Sequence, residues 1–168
     1  SSAASDVYKR QFVYLPGGYP ELYLAALSAN RQMLQSIRRY VESGGKLLAE
    51  CGGMMYLCDE IRDKNGDVYP MAGVLHQSAT MENMKLRLGY RTLLCNETRL
   101  KGHEFHYSRL VEQQNPLPSC AVAYTAKGVE TDTPLYHYKN VWAGYTHLYW
   151  AAPVGNEWFT KFVIDGNT

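Results

Sequence analysis

The segment Leu47-Leu48-Ala49-Glu50-Cys51-Gly52-Gly53-Met54-Met55-Tyr56-Leu57 constrains the fold more than any other stretch of the chain. A short apolar run of strand character ends in one reactive side chain. Two glycines follow, and then a second apolar run begins a helix. A strand that passes into a helix across one residue must turn sharply, and the turn lifts that residue's side chain above the sheet. Glycines beside it let other backbone and a substrate approach closely. Upstream, Phe12-Val13-Tyr14-Leu15 reads as a buried strand running into the loop Pro16-Gly17-Gly18-Tyr19-Pro20-Glu21. Between the two strands, Asn30 can cap a helix whose Met33, Leu34, Ile37, Tyr40 and Val41 share one face, with Arg31, Gln35, Arg38 and Glu42 on the other. Ser43-Gly44-Gly45 stops it. Alternation of strand and helix predicts an α/β fold with a parallel sheet and helices packed on it.

The second half changes character. Leu86 to Thr92, His103 to Leu110, Cys120 to Thr125 and Val141 to Thr146 are aromatic or β-rich runs, predicted as strands, several of them antiparallel. Asn156 to Ile164 can form a short amphipathic helix through Trp158, Phe159, Phe162 and Val163. With no internal repeat, low-complexity tract or linker, residues 12–168 read as one domain. Residues 1–11 (SSAASDVYKRQ) read as a non-native leader or a disordered tail. The 168 residues are 46% hydrophobic and 20% charged, as a globular domain requires. Seventeen Lys and Arg stand against 16 Asp and Glu, so no basic excess supports an electrostatic nucleic-acid binder. No apolar run approaches the ~20 residues that span a bilayer. The four cysteines (Cys51, Cys58, Cys95 and Cys120) are too scattered for a disulfide scaffold, and none has CxxC spacing. A reduced, cytoplasmic setting and no metal are expected.

Cys51 is the candidate nucleophile. The N-terminus of the following helix is expected to lower its pKa, and the Gly52 amide can donate to an oxyanion. On pattern alone a buried, inert cysteine beside packing glycines is an equal reading. Cys58 falls on the following helix and Cys95 and Cys120 in strands, all three expected to pack rather than react. A cysteine nucleophile needs a base. His147 lies just past a strand, while His103 and His106 fall on opposite faces of another, so those two do not converge on a metal. Spacing does not choose among the five histidines. The Gly17-Gly18 loop exposes amides suited to an oxyanion or an anion. It is not an ATP-binding P-loop, and Gly45-Lys46 is followed by Leu47 where that motif needs Ser or Thr. Tyr19, Tyr90, Tyr107 and Tyr145 lie in or beside these segments, and strand packing is the favoured reading over a pocket lining.

The segments LPGGYPE, LSAN, AECGGMMYL, YPMAGVL, LGYR, GHEFHYSRL and YTHL occur in one order between Phe12 and Phe162. Together they closely resemble the glutamine amidotransferase domain of the cobyrinic acid a,c-diamide synthases. The resemblance implies a flavodoxin-like class I glutamine amidotransferase fold. Cys51 then takes the nucleophile position and His147 that of its activating histidine. Gly17, Gly18 and Gly52 fall in the region of the oxyanion hole and substrate contacts. It implies that glutamine is hydrolysed and its ammonia passed to a synthetase domain, which uses ATP and magnesium to amidate the a and c carboxyls of cobyrinic acid. No cofactor belongs to this chain; cobyrinic acid and ATP are met through that other domain, and no nucleic acid or membrane is involved.

Three departures follow from the same resemblance. Tyr149 stands where many class I enzymes carry a Glu and this family often a second His. The P-loop synthetase domain is missing. The strand and helix that normally precede LPGG are missing too, so the domain is expected to be truncated at its N-terminal edge, exposing an apolar face that favours oligomerisation or poor solubility. The alternatives are a cobyric acid synthase or other tetrapyrrole amidase domain, a non-catalytic amidotransferase-like module, and a cysteine hydrolase of other substrates.

Overall fold

The computed structural model describes residues 10–164. Most of the leader assignment, residues 1–9, lies outside them. In chain order the elements are β1 (Phe12–Leu15), a 3-10 turn (Pro20–Leu22), α1 (Leu24–Ala29), α2 (Arg31–Glu42), β2 (Lys46–Glu50), α3 (Gly52–Leu57), β3 (Glu60–Arg62), β4 (Val68–Pro70) and β5 (Ser78–Thr80). They continue with β6 (Arg87–Cys95), β7 (Thr98–His106), β8 (Arg109–Leu110), β9 (Val122–Thr125), β10 (Glu130–Thr131), β11 (Leu135–Tyr138), β12 (Val141–Gly144), β13 (His147–Leu148) and α4 (Pro153–Ile164).

The first half folds as its pattern dictates. β1 pairs parallel to β2, Phe12 opposite Lys46 through Leu15 opposite Ala49. β12 joins β2 on its other side, again parallel, and β11 closes the sheet antiparallel, giving the order β1-β2-β12-β11. Asn30 caps α2 by accepting the Met33 amide at 3.2 Å. Leu34, Ile37, Tyr40 and Val41 are its buried residues, with Met33 packed beside them. Gly44 takes φ +90°, the left-handed conformation that ends such a helix without a Cβ clash.

β2 is buried on both faces, and its alternation assigns each side chain to a layer. Leu47 and Ala49 join the cluster formed with Val41, Met54, Leu57 and Ala143. Leu48 points the other way, into the cluster of Trp142, Trp158, Phe162, Leu93 and Leu100. The first sheet is therefore held between α2 and α3 on one side and α4 with the antiparallel sheet on the other. That sheet has the order β10-β9-β6-β7-β13. Its spine is the β6–β7 hairpin, in register from Arg87 opposite His106 to Cys95 opposite Thr98. A third sheet, β4-β3-β5-β8, flanks the first.

Several sequence expectations need correction. The run 141–146 ends as a strand at Gly144, and β12 pairs parallel in the first sheet. The run 103–110 divides into β7, which starts earlier, and β8. α4 begins at Pro153, before Asn156. β3, β4, β5, β10, β11 and β13 are not expected from the sequence, because runs of two to four residues seldom display a period. α3 ends at Leu57, so Cys58 is its C-cap residue and not a helical one; it packs as expected, fully buried.

Candidate active site

Cys51 stands between β2 and α3 with φ +51° and ψ −111°. A non-glycine residue in that region is strained, and the strain persists only where surrounding contacts fix it. Here the Cys51 amide donates to the Gly144 carbonyl at 2.8 Å, and the Cys51 carbonyl accepts the first helical bond, from Met55, at 3.1 Å. The two glycines after it are sites of close packing. A methyl on Gly53 would overlap the Leu15 carbonyl, and one on Gly52 would stand 2.5 Å from the Gly18 carbonyl. The elbow is thus pressed against the loop that leaves β1.

The thiol is 5% exposed. It donates to the Phe105 carbonyl at 3.7 Å, and the Gly52 amide donates to the sulfur. Burial pushes the thiol up to about 11, with the charges of Glu21, Glu104 and Glu50 adding to the rise. The sequence expectation of a lowered pKa at the helix start is therefore overturned for this resting state. Six-residue α3 offers little macrodipole, and its one favourable contact, the Gly52 amide, is outweighed by desolvation. Cys58, Cys95 and Cys120 are also raised by burial, Cys58 and Cys120 to about 12.

His147 opens β13, paired with β7 so that it faces His103. The two rings stack with centroids 4.9 Å apart. On the other side a methyl on Gly17 would overlap the His147 ring. Burial holds the His147 pKa below the ordinary imidazole value, and the charges of His103 and His106 act in the same direction. The fold thus gathers the residues marked in sequence: Gly17 lies against His147, Gly18 against Gly52, and Gly52 against the Cys51 sulfur. The imidazole and the thiol are not hydrogen-bonded to each other in this state. Tyr149 is 37% exposed and lies 5.8 Å from His103, so it supplies no orienting group to His147.

β7 presents its residues in the alternation expected of GHEFHYS. His103 and Phe105 face the open side, while Glu104 and His106 are buried. The Glu104 carboxylate pairs with Arg91 Nε at 2.5 Å and lies 3.6 Å from His106 Nε2. Its pKa falls although burial opposes the fall, because His106, Thr133 and Arg91 favour the anion. His106 stacks on Tyr145 at 3.7 Å, and the Tyr145 hydroxyl hydrogen-bonds Ser108 at 3.0 Å. Beside this network lies a cavity of about 270 Å³ whose wall carries Arg87, Arg109, Glu104, Glu112, Asp132 and Tyr145. Of the four tyrosines read as packing residues, Tyr145 is buried, while Tyr19, Tyr90 and Tyr107 are exposed, Tyr107 lying edge-on to Phe105. Sequence reasoning also missed Glu50. Its signal was an acidic residue at the end of an otherwise apolar strand.

Of the glycines after β1 and β2, Gly17, Gly52 and Gly53 are packed against the His147 ring and backbone carbonyls, while Gly18 has open space beside it. No group of three or more metal-ligating side chains is present among the described residues.

A parallel sheet with a strained cysteine elbow, facing a glycine loop and a histidine, defines a class I glutamine amidotransferase fold. A solved glutamine amidotransferase matches it with a TM-score of 0.58 at 18% identity, over 91% of this chain and 79% of that one. The family model for the CobB/CobQ-like glutamine amidotransferase domain matches residues 2–154, and the chain belongs to that family. Hydrogenobyrinate a,c-diamide synthase of Stutzerimonas stutzeri is 39% identical over 137 residues, covering 82% of this chain and 31% of the relative. Cobyrinate a,c-diamide synthase of Salmonella typhimurium is 34% identical over 149 residues, covering 84% of this chain and 32% of the relative. The chain thus spans about a third of the length of these relatives.

Proposed function

We propose that this chain is the glutaminase part of a corrinoid a,c-diamide synthase, with Cys51 as nucleophile and His147 as its base. One observation carries the reading: three segments far apart in sequence, Gly17-Gly18, Cys51-Gly52 and His147, meet at one place, with the Gly17 and Gly52 contacts too close for any side chain. Cys51 rests as the thiol, because burial holds its pKa high, and His147 rests neutral, because burial holds its pKa low. His147 takes the thiol proton as sulfur attacks the glutamine carboxamide carbon. The tetrahedral oxyanion is met by amides of the Gly17-Gly18 loop and of Gly52. The imidazolium returns the proton to the departing nitrogen, and ammonia leaves. Water, deprotonated by His147, then cleaves the γ-glutamyl thioester to glutamate and free thiol. The Phe105 contact gives way on substrate binding, since such geometry tightens in the substrate complex.

The cavity beside β7 is lined by none of Gly17, Gly18, Cys51, Gly52 and His147, and its assignment to the amino-acid end of glutamine is part of the proposal, argued from its charges. Its guanidinium and carboxylate groups, Arg87 and Arg109 against Glu104, Glu112 and Asp132, match the opposite charges of an α-amino acid. Tyr145 and Glu104 on its wall act electrostatically on Cys51. The acceptor, an a,c-dicarboxylate of cobyrinate or hydrogenobyrinate, is taken from the names of the relatives. ATP, magnesium and the acceptor belong to the synthetase portion that the relatives' greater length accommodates. A cytoplasmic setting and self-association complete the proposal. Glutamate release by this chain from glutamine tests it. The expected result is turnover that Cys51→Ser removes; turnover that survives Cys51→Ser overturns it.

A further inference from the structure

Glu50 is 3% exposed, immediately precedes Cys51, and takes no part in the chemistry above. Its two carboxylate oxygens are both occupied. Oε1 accepts the backbone N–H of Leu148 at 3.1 Å, and Oε2 accepts the Tyr14 hydroxyl at 2.6 Å. The Tyr14 side chain is in turn hydrogen-bonded to Trp150. The chain leaves the parallel sheet at Gly144 and enters the antiparallel sheet at His147, so His147 sits on a crossing between two sheets. β13 has only two residues, and its ladder partner is β7 alone. The carboxylate ties the residue after His147 to the residue before Cys51. Tyr14 with Trp150 ties the same segment to β1.

We propose that Glu50 is the positioning residue for His147, the part that the side chain at Tyr149 does not play: it fixes His147 relative to Cys51 by gripping the Leu148 amide rather than the imidazole itself. An acid at the position of Tyr149 would orient the ring directly. Here the ring is confined by His103 on one face and Gly17 on the other, and what remains to be set is the backbone from which it projects. Glu50 sets it from the strand that carries the nucleophile, so any shift of the elbow carries the histidine with it. The pKa of Glu50 is raised by burial, against which the Tyr14 and Leu148 hydrogen bonds act. With a proton on Oε2 the carbonyl oxygen Oε1 still accepts the Leu148 amide, so the grip does not require the charge. This inference rests on the glutaminase reading only for its kinetic arm.

The test compares Glu50→Ala, Glu50→Gln and Tyr14→Phe in this chain, by proton–carbon NMR of the His147 ring through a pH titration and by glutamate release. His103, which faces that ring, and His106, whose charge acts on it from the other face of β7, are followed in the same spectra. In Glu50→Ala the His147 pKa is expected to rise toward the ordinary imidazole value as the ring loosens. Its kcat should fall about tenfold or more, part of the ~10²–10⁴-fold that a lost base costs, with KM within about twofold. Glu50→Gln keeps an acceptor for Leu148 and is expected to retain the wild-type His147 titration and kcat within about threefold. Tyr14→Phe, which leaves Glu50 in place, is expected to fall between the two and covers the case in which Glu50→Ala does not fold. A His147 titration identical in wild type, Glu50→Ala and Tyr14→Phe overturns the proposal, as does a Glu50→Gln loss equal to that of Glu50→Ala. If the titrations move as expected but wild type releases no glutamate, the clamp stands and the glutaminase reading falls.

Discussion

The two halves of the candidate site are built in opposite ways. The cysteine half is local in sequence: strand, elbow and helix are consecutive, Gly52 and Gly53 press on the end of β1 and its loop, and one bond from the Cys51 amide to the Gly144 carbonyl pins the elbow. The histidine half is assembled from a distance. His147 projects from a two-residue strand on the rim of a second sheet, faces His103 from β7, and leans on Gly17 from the first loop. The local half is strained and buried, and the distant half is held by few bonds. A nucleophile can be fixed by its own sequence neighbours, whereas its base depends on two sheets keeping register with each other.

The largest effect expected is at the local half. Cys51→Ser is expected to abolish glutamine turnover, measured as glutamate release, because an unactivated hydroxyl does not replace the thiol. Residual turnover would break the assignment of the nucleophile. Next, His147→Ala is expected to lower kcat by about 10²–10⁴-fold with a smaller change in KM, the range for a lost general base. Equal loss from His103→Ala would shift the base to the stacked partner and redraw the distant half. Gly53→Ala puts a methyl onto the Leu15 carbonyl, and overpacking of this kind costs about 1–3 kcal/mol, read as a lower midpoint in urea. Arg87→Ala, which removes a guanidinium paired with Asp132 at the cavity wall, is expected to raise KM for glutamine several-fold, less than the ~1.5–3 kcal/mol a charged hydrogen bond can be worth, with kcat largely kept.

The smallest effects are those of pH. His147 has a lowered pKa, so it accepts protons only at lower pH than usual, and the acid limb of turnover should lie below the ordinary histidine value of ~6.5. Its contribution to stability is present above that value and is lost as pH falls through the depressed pKa. Cys51 and Cys58 have folded-state pKa values raised to about 11 and about 12. Their contribution is complete below the unfolded thiol value of ~8.5 and is lost as pH rises toward the raised ones. Thermal melts at stepped pH are expected to show the midpoint declining above pH ~9. A flat alkaline limb would contradict the burial of these thiols.

The same contrast governs what could be read in the sequence. The elbow, the capped α2 and the two glycine pairs were legible because each is a run of adjacent residues with one local conformation. The face assignment in GHEFHYS was legible too, since alternation along one strand fixes it. His147 could not be chosen over four other histidines by spacing, and only the family resemblance singled it out. Its environment is set where the chain crosses from the first sheet to the antiparallel one, through β13, a strand of two residues and too short to display a period. The rise in the Cys51 pKa was hidden for the same reason. It comes from burial and from Glu21, Glu50 and Glu104, which lie apart in sequence and meet only in the fold. The exposed Tyr19, Tyr90 and Tyr107 show the limit of residue type as evidence of burial.

The most direct test of the account is mass-spectrometric mapping of this chain after exposure to a reactive glutamine analogue such as diazo-oxo-norleucine. One adduct is expected, on Cys51, slowed in His147→Ala and absent in Cys51→Ser. An adduct on Cys58, Cys95 or Cys120 in its place, or a folded wild-type chain that takes no label at all, would contradict it.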